Sequence, residues 1–196
     1  MKFLFITTGS QATFYAAAPL ATAVRNAGHE ILLASHEPWV ETAEAIGVPT
    51  VCYTPDPVRH FMKLGRPGSA LRFPREMGDD EMLGVGQGFA RMASAGLNTL
   101  LDLAEDWPPD VIVGSSMSYA AGLLAAHRKV PYVRQAEYLA IPITGIDPGA
   151  EEGLRPDLER LELAGLPMPV GVWIIMIAIS CSFGSTQKVV PQAPVQ

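Results

Sequence analysis

Short apolar runs alternate with helix-forming segments from the first residue onward, and that alternation constrains the fold more than any other feature of the chain. KFLFITT (2–8) is a continuous apolar run closed by Gly9 and Ser10, the pattern of a strand covered on both faces of a parallel sheet. AAAPLATAVRNAGH (16–29) then places Leu20, Ala23, Val24 and Ala27 at helical spacing, with Gly28 as a stop. HEILLAS (29–35) is a second apolar run. Strand, helix, strand in that order predicts a right-handed βαβ unit.

The pattern continues through a short helix, PWVETAEAIG (38–47), and a third strand, VPTVCYT (48–54), closed by Pro55 and Pro57. From about residue 56 to residue 88 periodicity is lost, and Pro, Gly, Met, Arg and Phe gather in what reads as a long insertion. Connections of that length inside a compact domain are usually functional or mobile. GFARMASAGLNTLLDLAEDW (88–107) then predicts an amphipathic helix, PDVIVGSS (109–116) a buried strand, MSYAAGLLAAHRK (117–129) a helix and VPYVRQA (130–136) a last strand. The order βαβαβ, insertion, αβαβ predicts an α/β fold: a Rossmann-like, doubly wound, mostly parallel sheet.

Composition narrows the function. With 48% hydrophobic and 17% charged residues in 196, this is the make-up of a globular domain. Twenty acids against 14 bases, with no Lys/Arg cluster, argue against nucleic acid as a partner. Cys52 and Cys181 stand far apart in no metal-like spacing, and FLFI is too short for a signal peptide, so the expected location is cytoplasmic. The uncharged stretch from Pro167 to Gly184 contains an apolar core of about 10 residues against the roughly 20 a spanning helix needs, so no membrane span is expected.

In doubly wound sheets ligands bind at the carboxyl ends of the strands. The polar residues expected there are Ser10, Gln11 and Thr13 after the first strand, Ser115, Ser116 and Ser118 after the fourth, and Arg134, Gln135 and Glu137 after the fifth. Serine and threonine at such positions also cap helices, and both roles stay open. A dinucleotide site is poorly supported: the first turn has Gly9 alone, and Gly84, Gly86 and Gly88 follow no predicted strand. No G-x-S-x-G elbow and no histidine pair at metal spacing occurs; His36 and His60 remain minor candidates for a cleft. The insertion offers Phe61, Met62, Phe73, Met77 and Met82, an adaptable wall for a flat apolar ligand or a satellite core under a loop.

Three segments taken together, MKFLFITTGSQATFYAAAPLATAVRNAGHEILLAS, PPDVIVGSSMSYAAGLLAAHRKVPYVRQA and GIDPGAEEGLRPDLERLELAGLP, resemble the N-terminal half of the two-domain glycosyltransferases that decorate bacterial polyketide antibiotics with deoxysugars. The resemblance covers residues 1–167. It implies one half of a GT-B architecture, glycosyltransferase family 1 type, with an acceptor-binding domain facing a donor domain. It further implies a small aromatic or polyketide acceptor, a dTDP-deoxysugar donor for the full enzyme with no cofactor bound by this chain, and inverting, metal-independent transfer. Acceptor contacts would come from Ser10, Gln11, Tyr15, Phe61, Phe73, Met77, Met82, Ser116, Met117, Arg134 and Gln135.

Two departures follow from the same resemblance. Many relatives carry a histidine base in the loop after the first strand, and here that position is Thr13, which leaves Glu137 as the nearest carboxylate to take the proton. After Pro167 residues 168–196 become an atypical apolar tail, GVWIIMIAISCSF and beyond, where a linker and donor domain are expected; the donor-binding domain is absent from the 196 residues. The leading expectation is therefore an acceptor-binding domain that cannot complete transfer alone, associating with itself or with a donor domain. A non-catalytic module for a hydrophobic ligand or partner is the alternative, and a nucleotide-dependent oxidoreductase a weaker third.

Overall fold

The computed structural model describes residues 1–62, 77–135 and 144–166. Its elements run β1 (Lys2–Ile6), α1 (Gln11–Asn26), β2 (Glu30–His36), α2 (Glu37–Ala45), β3 (Thr50–Thr54), α3 (Val58–Phe61), α4 (Asp79–Asp106), β4 (Val111–Ser115), α5 (Tyr119–Arg128), β5 (Tyr132–Gln135) and, after a 3-10 turn at Thr144–Ile146, α6 (Asp147–Arg160). The five strands form one all-parallel sheet in the order β3-β2-β1-β4-β5. The α/β, doubly wound reading of the sequence is borne out.

β1 lies at the centre, with Phe5 opposite Leu33 on one side and Val113 on the other. Alternate side chains of a strand point to opposite faces, and the two cores divide accordingly. Leu4 and Ile6 join Ile112 with the α4, α5 and α6 residues Leu97, Leu100, Leu123, Leu124 and Leu154. Phe5 joins Ile31, Leu33 and Val113 with Phe14 and Ala21 of α1 and Ala43 of α2. β1, β2 and β4 are thus apolar on both sides, which explains the unbroken apolar runs in their sequences.

Helix boundaries differ from the sequence reading in two places. α1 starts at Gln11 rather than near Ala16, because Ser10 and Thr13 form a capping box: each side chain accepts from the other residue's backbone N–H. Pro19 sits inside that helix without ending it. α4 starts at Asp79, not Gly88, so the last ten residues assigned to the insertion are helical. Asp79, Asp80 and Glu81 crowd its first turn, where the helix dipole favours negative charge, and the Glu81 carboxylate accepts from Gly78 N–H at 3.0 Å. Residues 63–76, with Phe73, and residues 167–196 lie outside the described part.

Gly86 belongs to a seam between α4 and α6. A Cβ on Gly86 would stand 2.0 Å from the Ile146 carbonyl oxygen and 2.7 Å from Ala150 N; one on Gly149 would stand 2.1 Å from the Leu83 carbonyl oxygen. The backbones of the two helices therefore touch directly, and polar pairs flank the contact: Gln87 to Glu152 at 3.1 Å, and the Ser94 hydroxyl to the Asp157 carboxylate. Of the three glycines, Gly86 is thus a helix-packing position, Gly88 lies against Met62, and Gly84 faces open space. Among the described residues, no helix is long and apolar enough to cross a membrane.

This seam separates two effects of one substitution. Gly86→Ala is expected to lose about 1–3 kcal/mol through overpacking against backbone atoms. Gly84→Ala, in the same helix with nothing within 4 Å of the added methyl, is expected to gain about 0.5–1 kcal/mol of helix propensity. Urea unfolding midpoints of the two variants measure the contrast.

Candidate functional site

The strand order places the topological switch between β1 and β4, and the segments after β1, β4 and β5 meet at that edge. The first, Thr7 to Ser10, is held from several directions. Thr7 N–H donates to Ala34 O at 3.1 Å and the Thr7 hydroxyl to Ser35 Oγ at 3.1 Å. Trp39 Nε1–H donates to Gly9 O at 2.7 Å. Gly9 has φ +67° and lies flat against His36, where a Cβ would stand 2.2 Å from the imidazole Cγ. Only glycine meets both demands.

Ser10 and Thr13 face inward along this loop. The Thr13 hydroxyl donates to Ser10 O at 2.9 Å while accepting from Ser10 N–H at 3.3 Å, and Thr13 is 2% exposed. Its oxygen is thus committed to the start of α1. Tyr15 is the opposite case: one position past the buried Phe14 it is 53% exposed, with its ring edge-on to Phe14. Gln11 opens the helix.

The other two segments are tied to each other and to α1. Arg134 donates from Nε at 3.1 Å and from Nη2 at 2.5 Å to Ser116 O, and the Ser116 hydroxyl donates to Gln135 O at 3.3 Å. The Gln135 side-chain amide donates to Ala16 O at 2.6 Å across 119 residues of sequence. Met117 is half-buried and packs against the larger core. Ser10, Thr13, Ser116, Met117, Arg134 and Gln135 therefore do gather at the carboxyl edge. Glu137 follows directly on that edge but lies outside the described residues.

The apolar candidates are distributed otherwise. Phe61, 6% exposed, is part of the core beneath α4, and Met82 packs against the same core with its methyl facing Gly145. Met77 is half-buried just before α4. His60 is on the surface near Asp56, 3.9 Å away.

His36 does not open into the cleft. It is fully buried, with Nδ1 2.7 Å from Asp56 O and Nε2 3.0 Å from the Tyr53 hydroxyl, which in turn donates to Thr7 O at 2.9 Å. Burial pushes the imidazole pKa down, opposed by the Asp56 carbonyl and carboxylate, and burial pushes the Tyr53 phenol up. Both are neutral props under the first loop. Sequence reasoning missed this pair, along with the Trp39 bond, because a histidine ending one strand and a tyrosine in the next give no local sign of meeting. Among the described residues no group of three His, Cys, Asp or Glu is placed to hold a metal ion, and Cys52 is an exposed free thiol.

Residues 22–180 match the family described as erythromycin biosynthesis protein CIII-like, N-terminal domain. The chain belongs to this family. It is 28% identical over 149 residues to an aclacinomycin-T 2-deoxy-L-fucose transferase of Streptomyces galilaeus, covering 64% of this chain and 34% of that protein. It is 29% identical over 156 residues to an L-demethylnoviosyl transferase of Streptomyces niveus, covering 77% and 38%. The solved structure of the Streptomyces sp. SF2575 glycosyltransferase SsfS6 with thymidine diphosphate superposes with a TM-score of 0.75 at 28% identity, over 90% of this chain and 49% of that one. The spinosyn rhamnosyltransferase SpnG with spinosyn aglycone shares the fold at 22% identity and a TM-score of 0.71. The chain spans little more than a third of the curated relatives and about half of SsfS6. The resemblance to an N-terminal half of a GT-B antibiotic glycosyltransferase is borne out.

Two outcomes are expected at this edge of the erythromycin CIII-like domain. Ser10→Ala removes the cap and should lower stability by about 1 kcal/mol in urea unfolding. His36 has its folded pKa below the ordinary histidine value of about 6.5, so above that pH folded and unfolded forms are both neutral and its contribution is complete. As pH falls below 6.5 the unfolded chain takes up a proton that the folded chain resists, and stability is lost. His36→Gln should flatten that part of the stability–pH curve.

Proposed function

We propose that this chain is the acceptor-binding half of a glycosyltransferase that moves a deoxysugar from a nucleoside-diphosphate sugar to a polyketide or aromatic aglycone. The family match carries the reading, together with relatives named as a deoxyfucose and a demethylnoviose transferase. The gathered edge supports it: Tyr15 offers an exposed aromatic face, and the N–H groups of Arg134 that do not hold Ser116 are donors for an acceptor oxygen. The donor, a dTDP-deoxysugar, binds the facing domain in this reading, and a donor domain or a second copy of the chain is the expected partner.

The chemistry we assign is inverting and metal-independent. The acceptor hydroxyl oxygen attacks the anomeric carbon from the face opposite the diphosphate, the bond to the diphosphate breaks with its electron pair, and a base takes the hydroxyl proton. Thr13, buried in the cap, shapes the loop and does not take that proton. We assign it to Glu137.

The engagement of Thr13 in the cap and the burial of His36 also favour a second reading as a non-catalytic hydrophobic-ligand module. Calorimetry and product analysis separate the two. The 196-residue chain is expected to bind an aromatic polyketide aglycone without forming product from a dTDP-deoxysugar, and to form product once a donor domain of the same family is supplied. Tyr15→Ala should weaken aglycone binding about tenfold, equivalent to about 1.4 kcal/mol, while Glu137→Gln should keep binding and lose turnover. Binding with no product even with the donor domain present selects the module; product from the chain alone overturns the division into halves.

A further inference from the structure

Behind the first turn of α1, at the switch between β1 and β4, lies a cavity of about 10 Å³. Its apolar wall includes Phe5 and Val113; its polar wall is Thr7, Thr13, Ser115 and Gln135. The Ser115 hydroxyl on this wall is buried and has no hydrogen-bond partner among the described residues. Taking a hydroxyl out of water without a new partner is unfavourable, and buried polar atoms in folded proteins nearly always have one.

We propose that this cavity is a binding site for a single ordered water that joins β4, β5 and the segment leaving β1. Size decides the ligand class: the space admits one water and nothing larger. No charged residue lines it, so an ion has no counter-charge there. The hydrogen-bonding inventory fits a water that accepts the Ser115 proton. The Gln135 amide nitrogen is already used on Ala16 O, which leaves its side-chain carbonyl as an acceptor, and the Thr7 hydroxyl donates to Ser35 Oγ, which leaves the Thr7 oxygen its lone pairs. Two acceptors take the two water protons. The bridge runs beside the Gln135–Ala16 bond and ties the segment leaving β1 to the ends of β4 and β5.

The site is tested on the chain itself. A crystal structure at a resolution that shows ordered solvent is expected to place one solvent peak at about 2.5–3.0 Å from Ser115 Oγ. Ser115→Ala, which removes one of the water's partners, is expected to lower the urea midpoint. If Ser115 is instead a dry, unpartnered hydroxyl, deleting it relieves a penalty, and the midpoint rises or stays unchanged. Either that result or the lack of a solvent peak in the wild-type chain overturns the proposal, and the wild-type observation does not depend on the variant folding.

Discussion

The pairing of β1 with both β2 and β4 is the constraint on which the rest depends. A strand hydrogen-bonded on both edges and covered on both faces has no position that tolerates an unpaired polar group. Lys2–Ile6 meets this with Leu4, Phe5 and Ile6 essentially inaccessible. Once β1 is central, right-handed crossovers put α1 and α2 on one face and α4 and α5 on the other. The chain leaving β1 and the chain leaving β4 must then diverge to opposite faces at the same edge. The crevice is a consequence of that divergence, and the side chains that bridge it, Gln135 to Ala16 above all, close a gap the topology opens.

Most of this was legible because apolar runs on doubly covered strands do not alternate, and KFLFITT, HEILLAS and DVIVGSS stand out against the helices between them. Boundaries were less legible. The start of α1 depended on whether Ser10 and Thr13 served a ligand or a cap, and their residue types suit both. The start of α4 was hidden by Gly84, Gly86 and Gly88, which lower helix propensity in isolation. Only the approach of α6, more than fifty residues later, explains Gly86, since a contact between two backbones leaves no apolar side chain to read.

The site was legible as a place and less so as a set of partners. Ser116, Arg134 and Gln135 were placed by the rule about strand ends, and they do meet. His36 and Tyr53 were not placed, because their function is to support Thr7 and Gly9 from below, and support of that kind depends on register between β2 and β3. Phe61 shows the converse ambiguity: an aromatic side chain in a segment without periodicity reads equally as a ligand wall or a satellite core, and it fills the core beneath α4. An apolar residue outside a periodic segment has no pattern to declare which way it faces.

The Ser10–Thr13 cap links fold and chemistry at one oxygen. A threonine hydroxyl that donates to one backbone group and accepts from another is saturated on its donor side. Freeing its proton for other work would uncap α1, the helix whose Phe14 anchors one face of the sheet and whose Ala16 carbonyl holds Gln135. Stability and proton transfer therefore compete for this position, and a residue that carries the first cannot also carry the second. On the proposed transferase reading the acceptor proton leaves by a group outside the capping box, because Thr13 is held by the cap.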